Sequence, residues 1–494
     1  MDQKKLMEIQ TKRGAKAYSF ETNVKTLETV ISECRKKIEE NSDRYKDLDP
    51  LSKKEVIKEI IVEYVMRTKP LVDGYIDDEN RPDTLRLADK LVEDITNYGI
   101  LTQAMLDERV YEIRCNGKEI KVEIEGRVVD LTDKDGNIIS FETPEQQDII
   151  MRKLLGDVRL TPKDAVVNGR TIEGYRVAAV HSSALSPDPN NPTAEKYHAF
   201  VLRKFKKSKM SLSDIVKKGT MSDGMAQFLS LAIAGGLTFV TCGPTASGKT
   251  TTNNAILQAT PPTTRVVLLQ NPSEIDLRFK DSTGRVYNDV LHLEAREIDN
   301  PRPQDPTMAN LMAHILRLSP TFVCFGELRT NKEFALGMTI LQAGHPVNAT
   351  YHAEDSVGAV RRFLTAYMAE TRETIETALP TLTDLLNVIV IQKIMRDGTR
   401  KVLQISEVLG VDPNNSSLPL INDLYIFEPQ GEPEYDNNGR VVKIPGIHKR
   451  VGKLSDKTIR KFRIEGIKPS LYEYLTKDVS DDEVETYTGN IQYC

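Results

Sequence analysis

The sequence predicts an α/β protein: a parallel-sheet domain, preceded by an α+β domain and a helical arm. Three observations predict it. Strand-like runs alternate with helical stretches from about Ser211 onward, the pattern of a parallel sheet covered by helices on both faces. Within that region, Gly243-Pro244-Thr245-Ala246-Ser247-Gly248-Lys249-Thr250 fits G-x-x-x-x-G-K-[ST], with a buried-strand run, Leu237 to Cys242, before it and a helix start after it. Upstream, Val110 to Val129 alternates like a hairpin among helical stretches.

Residues 1–75 are strongly charged and helix-like, a candidate arm. Val56, Ile57, Ile60, Ile61, Tyr64 and Val65 recur at helical spacing and share one face, read as an ordinary buried stripe. Pro70 and Gly74 then punctuate the chain. Residues 76–205 form the α+β domain. Leu85 to Leu106 read as helices, and Tyr111 to Cys115 and Ile120 to Ile124 as strands joined at Asn116-Gly117. Pro144 to Leu155 reads as a helix, and Arg176 to Val180 and Ala199 to Arg203 as further strands. Ser186 to Pro192 is a loop by composition. Residues 206–213 read as a charged linker and hinge. Residues 214–424 hold the parallel sheet, with strands at Leu237 to Cys242, Arg265 to Leu269, Thr321 to Phe325, Val347 to Tyr351, Val388 to Ile391 and Val402 to Val408. Residues 425–494 read as a polar C-terminal extension.

The chain has 494 residues, 39% hydrophobic and 28% charged, which suits two to four packed domains. Its net charge is -5, so no global positive field draws it to nucleic acid. Arg203 to Lys209 is a local basic run, read as a solvated face or linker. The five cysteines show no metal or redox spacing, and Cys242 and Cys324 lie in apolar runs as buried thiols. Met1 to Ala17 carries no apolar core, so it does not read as a signal peptide. The longest apolar stretch, Phe228 to Cys242, is interrupted by Gly235-Gly236 and is too short to span a bilayer.

In the phosphate loop, glycines let backbone N–H groups turn toward an anion, and the following helix adds partial positive charge. Lys249 would reach the β- and γ-phosphates, and the Thr250 hydroxyl would ligate Mg²⁺. Hydrolysis also needs an acid. Phe322 to Phe325 ends in Gly326-Glu327-Leu328-Arg329, on a strand expected beside the phosphate-loop strand, which aims Glu327 into the ligand crevice to polarise water or support Mg²⁺. His352, near the end of the Val347 to Tyr351 strand, could hydrogen-bond a γ-phosphate.

These motifs resemble the secretion ATPases of the type II/type IV secretion superfamily, most of all the CpaF-like branch that powers Tad-type pili. Gly243 to Thr251 matches that family's G-x-T-G-S-G-K-T-T, with Ala246 in place of the second glycine. Gly326, Glu327 and Arg329 match its G-E-x-R. Gly344, His345, Thr350, His352 and Ala353 match its histidine box. Glu112-Ile113 with Asn116-Gly117, Gly174 to Val177, Leu202 to Phe205, Arg396 to Lys401 and Gly466 to Pro469 match further segments in the family's order. The resemblance covers roughly residues 85–475. It implies a RecA-like ATPase domain that binds ATP and Mg²⁺ through Gly243 to Thr251, with Glu327, Glu274, His352 and Arg329 as catalytic candidates. It implies a cytoplasmic homo-hexamer, peripheral at the inner face of the cell membrane and docked on a polytopic platform protein. Arg176 and Arg203 match the N-terminal segments whose basic residues close on the phosphates.

The family's acidic box, I-E-D-x-x-E, stands here as Leu269-Gln270-Asn271-Pro272-Ser273-Glu274. Only Glu274 keeps its charge, and an amide cannot act as a general base. Two alternatives to a pilus or secretion motor stay open. One is an ATP-binding ring component with weak hydrolysis. The other is a conjugation or nucleic-acid-transfer motor, although Trp is absent and aromatics are 6%.

Overall fold

The computed structural model describes residues 24–479, apart from 46–47, 49, 77–80, 125–126, 157, 187–194, 205–209, 272 and 297–303. The Met1 to Ala17 segment, residues 187–192 of the expected loop, Phe205, residues 206–209 of the expected linker, Pro272 and Cys494 lie outside the described residues. The chain divides into two compact units, residues 1–207 and 208–494.

In the first unit, helices α1 (Leu27–Glu40), α2 (Pro50–Thr68) and α3 (Thr84–Thr96) share one core. Thr26 and Asp83 cap α1 and α3 through their side chains, supplying acceptors for N–H groups that a helix start leaves unpaired. Val30, Cys34 and Ile38 of α1 meet Ile57, Ile60, Ile61 and Val65 of α2 and Leu87, Leu91 and Ile95 of α3. The apolar stripe of α2 is thus a core face. The core also runs past residue 75, where an arm was expected to end, because Pro70 and Gly74 turn the chain without ending the packing.

After α4 (Thr102–Leu106) come β1 (Val110–Asn116), β2 (Glu119–Ile124), β3 (Arg127–Asp130), α5 (Pro144–Leu155), β4 (Val166–Arg170), β5 (Arg176–Val180) and β6 (Ala199–Arg203). Among the described residues these strands form one antiparallel sheet in the order β3-β2-β1-β6-β5-β4. Helix α5, capped by Thr143 with proline in its first turn, packs Ile150, Met151, Leu154 and Leu155 into the core below it.

The second unit contains α6 (Leu212–Lys217), α7 (Asp223–Ala234), β7 (Phe239–Cys242), α8 (Lys249–Leu257), β8 (Val266–Gln270), β9 (Val290–Glu294), α9 (Met308–Ile315), β10 (Phe322–Phe325), α10 (Asn331–Gln342), β11 (Val347–Tyr351), α11 (Ser356–Thr371), α12 (Ile375–Leu385) and β12 (Val388–Ile394). Ser211 caps α6 in a capping box, so residues 211–213 of the expected linker begin a helix. Then follow β13 (Arg400–Asp412), β14 (Asn415–Pro429), the small pair β15 (Glu434–Tyr435) and β16 (Val441–Lys443), β17 (Gly446–Arg450) and α13 (Asp456–Ile464). The large sheet runs β17-β14-β13-β12-β7-β11-β10-β8-β9. It is parallel from β12 to β9 and antiparallel from β12 to β17. Alternate residues feed opposite cores: Val266, Leu268, Phe322 and Cys324 face one, and Val267, Leu269, Val323 and Phe325 the other. That is the doubly covered, RecA-like α/β architecture the sequence predicts.

Two expectations are corrected. Strand β10, which carries Glu327, does not lie beside β7, because β11 is inserted between them. Nor is the chain from 425 onward an extension of the sheet domain. Strand β14 crosses that boundary with Leu424 and Tyr425 buried, β17 pairs with it, and Phe462, Tyr472 and Leu475 join the core under α7. Burial of one residue in two or in four leaves such a segment polar on average, which hides its core residues from composition. Among the described residues no helix is long and apolar enough to cross a membrane.

Candidate functional site

The site forms where β7, fully buried between β11 and β12, ends. The chain leaves it at Gly243 with φ +152°, and a Cβ there would lie 1.9 Å from the Gln392 carbonyl oxygen, so no other residue fits. Gly248 turns at φ +89° into α8. Ala246, which replaces the family glycine, sits at φ +63°, a left-handed conformation that costs an L-residue about 1–2 kcal/mol.

The loop's carbonyls are covered by side-chain donors. Lys249 Nζ donates to the carbonyls of Gly243 and Pro244, each at 2.9 Å. Burial holds its pKa below the ordinary lysine value, and the nearby Glu327 carboxylate works against that shift. Gln392 Nε2 donates to Ser247 O at 2.9 Å, and Arg400 Nε to Ala246 O at 3.3 Å. His352 Nδ1 lies 3.0 Å from Gly243 O, a pure acceptor, so this nitrogen carries a proton.

Glu327 closes the arrangement from the end of β10. One carboxylate oxygen accepts from Arg329 Nε at 2.7 Å, and the other lies 3.2 Å from His352 Nε2. Thr350 Oγ1 donates to Gly326 O at 2.6 Å, and Leu328 N to Thr350 O at 2.9 Å, fastening the end of β10 to β11. The insertion of β11 therefore brings His352 between the phosphate loop and Glu327. Behind the loop, Asn253 of α8 and Asn348 of β11 exchange two hydrogen bonds of 2.6 and 2.9 Å while fully buried, and Thr241 Oγ1 donates to Asn253 Oδ1 at 3.3 Å. This buried polar link fixes α8 against β7 and β11.

The structure thus gathers Gly243, Lys249, Glu327, Arg329 and His352, with Pro244 to Ser247 in the loop and Thr250 and Thr251 half-buried in the first turn of α8. His345 lies at the opposite end of β11, away from this group. Glu274 is exposed on the loop after β8 and contributes its backbone N–H to Gln270 Oε1 at 2.9 Å. Gln270 itself is 1% exposed and fully used. Its oxygen also accepts from Ile275 N at 2.7 Å, and its amide donates to Ile275 O at 2.9 Å and Ser273 Oγ at 3.2 Å. The residue that stands in place of the family's acid is a staple that holds Ser273, Glu274 and Ile275 against the end of β8. In the first unit, Arg176 and Arg203 are register partners on β5 and β6, and Arg203 makes a two-pronged bond to the buried Glu112. Burial alone would raise the Glu112 pKa, but hydrogen bonds from Arg203 and Arg114 outweigh it and hold the carboxyl below its ordinary range. Cys242 is an inert thiol, pushed up to about 12 by burial.

Sequence reasoning missed Gln392, Arg400, Asn253 and Asn348 as site residues. Their only local signal is polarity in the wrong place: Gln392 ends the apolar run Val388 to Ile391, and Asn348 interrupts a buried strand.

An archaeal protein, uncharacterized protein MJ0900 of Methanocaldococcus jannaschii, is 29% identical over 197 residues, covering 40% of this chain and 32% of its own length. The probable conjugal transfer protein TrbB of Sinorhizobium fredii is 30% identical over 171 residues, covering 33% of this chain and 47% of its own length. The chain therefore spans a third to a half of these curated relatives. The X-ray structure of the Legionella pneumophila ATPase DotB aligns over 64% of this chain and 80% of its own, with 18% identity and a TM-score of 0.44. The type II/IV secretion system protein family matches residues 103–423, well over half of the chain and across the whole phosphate-loop site, and the chain belongs to that family.

Proposed function

We propose that this chain is a Mg²⁺-dependent ATPase that couples ATP binding and hydrolysis to type IV or Tad-type pilus assembly or to protein secretion. In this reading it works as a cytoplasmic homo-hexamer of the CpaF-like branch, peripheral to the membrane and docked on a polytopic platform protein. One observation carries the reading: a phosphate loop with its carbonyls held by side-chain donors, beneath a Glu327–His352 pair.

Lys249 exchanges its two carbonyl partners for β- and γ-phosphate oxygens, which neutralise it and offset its burial. Thr250 and Glu327 are hard oxygen donors, a set that fits a Mg²⁺ carried in on the phosphates. Mg²⁺ would screen the charge that develops in the transition state. Glu327, its carboxylate oriented by Arg329 and His352, accepts a hydrogen bond from the attacking water and aligns it. In this reading Glu274 is a further acidic candidate, and Arg176 and Arg203 are further phosphate-neutralising candidates. Phosphate release by purified protein tests it. Wild type should turn over Mg²⁺-ATP, while Lys249→Ala abolishes nucleotide binding and Glu327→Gln binds but hydrolyses at least 10²-fold more slowly. Equal rates in all three would sink the motor.

A second reading, a conjugation motor, is favoured by the similarity to a protein named for conjugal transfer. Salt-sensitive binding of single-stranded DNA with stimulated phosphate release would support it. A binding-only ring component would instead show tight nucleotide binding with no release above the Glu327→Gln level.

A further inference from the structure

We propose that the hairpin joining β12 to β13 is a clamp that presets the phosphate loop for its anion, with Gln392 and Arg400 as positioning residues. The inference rests on the nucleotide reading above. A loop that turns its N–H groups toward an anion must turn its carbonyls elsewhere, and a buried carbonyl without a donor costs about 1–3 kcal/mol. Here the carbonyls of Gly243, Pro244, Ala246 and Ser247 all accept from side chains, those of Gly243 and Ser247 in buried bonds, that of Pro244 in a half-buried one and that of Ala246 in one open to water. Lys249 holds the first two and must leave them when phosphate arrives. The hairpin holds the other two, from residues some 150 positions away, and does not need to leave.

The hairpin is built to reach the loop. Ile391 pairs with Cys242 at the end of β7, which puts Gln392 directly beyond it, against Gly243. The ladder to β13 shifts register between Ile391 and Gln392, a bulge of the kind that re-aims a side chain. Gln392 is 1% exposed, and among the described residues its Oε1 has no hydrogen-bond partner, so the amide's place is set by its donor contact to Ser247. Arg400 lies over Gly248, where an added Cβ would come within 2.8 Å of its Cδ. This half-buried side chain therefore sets a positive charge beside the N-terminus of α8, adding to the positive potential an anion meets there. The hairpin is fixed from behind. Asp397 accepts from Thr399 at its tip and from Ile444 N at 2.8 Å, and Lys401 Nζ donates to Gly219 O at 2.6 Å. Nucleotide affinity is thus set partly by a segment outside the phosphate loop, and that segment continues into β13 and the C-terminal strands.

The test measures the Kd of the full chain for a fluorescent (mant) ATP analogue with Mg²⁺, together with the melting temperature without nucleotide. Arg400→Ala removes a half-buried side chain whose bond to Ala246 O is open to water, so it should raise Kd about tenfold and leave the nucleotide-free melting temperature nearly unchanged. Gln392→Met should raise Kd by a similar factor beyond any loss of stability. If both variants melt lower yet bind like wild type, their role is structural and the clamp is overturned. If Gln392→Met does not fold, Arg400→Ala decides alone. Lys249→Ala separates the two levels: should it bind like wild type, the nucleotide reading itself fails. Should it lose binding while Arg400→Ala keeps wild-type affinity, only the clamp does.

Discussion

Restoring the family's acid by Gln270→Glu should weaken the fold without speeding turnover. Gln270 is 1% exposed, with its oxygen accepting from two backbone N–H groups and its amide donating to Ile275 O at 2.9 Å. An ionised glutamate would set a carboxylate oxygen against that carbonyl, two acceptors with no proton between them. The cheaper state keeps the geometry with a protonated glutamate that donates to Ile275 O. Holding a carboxyl of ordinary pKa about 4.3 protonated costs about 3.5 kcal/mol at pH 7 and about 1 kcal/mol at pH 5. The sign follows: the folded-state pKa is raised, so the variant's stability is greatest in acid and is lost as pH rises. Urea unfolding of wild type and variant at both pH values measures the difference, and phosphate release measures turnover. A loss under 1 kcal/mol at pH 7, a loss independent of pH, or a several-fold gain in turnover would each refute the staple and restore the reading of a neutralised catalytic acid.

Ala246→Gly should stabilise the protein by about 0.5–1 kcal/mol, since the left-handed cost it removes exceeds the extra chain entropy of glycine; thermal melting checks it, and no change would mean the loop relaxes around Ala246. His448, beside Lys401 and against the Phe427 ring, is held near pKa 4 by burial and then by that lysine. The unfolded chain therefore binds more protons between about pH 6.5 and 4, so stability falls as pH falls through that window, by up to about 3 kcal/mol. His448→Phe should flatten this part of a pH–stability profile relative to wild type. Glu112→Gln should cost about 1–3 kcal/mol by thermal melting, because the buried carboxylate holds Arg203 and Arg114 at once; the folded-state pKa is lowered, so the wild-type advantage is present above the ordinary carboxylate range and fades as pH falls through it.

What could be read from the sequence was local. Strand, glycine loop and helix follow one another within Phe239 to Leu257, and hairpin and helix signals such as Asn116-Gly117 and Pro144 are set by their immediate neighbours. Strand order was not local, and it mattered. Glu327 was expected on a strand beside the phosphate-loop strand, yet β11 lies between, and that insertion is what carries His352 to within reach of both Gly243 and Glu327. Gln270 shows a different limit. Its residue type suggested a lost acid, but its role is decided by the four groups its amide touches, two of them backbone N–H groups four and five residues on. The phosphate loop joins both lessons. It is eight residues in sequence, but its shape depends on donors at 352, 392 and 400, which reach it only through the ordering of β11, β7, β12 and β13. The residues hardest to find by motif are therefore those that hold backbone rather than touch ligand. A substitution at Gln392 or Arg400 should consequently behave like one in the loop itself.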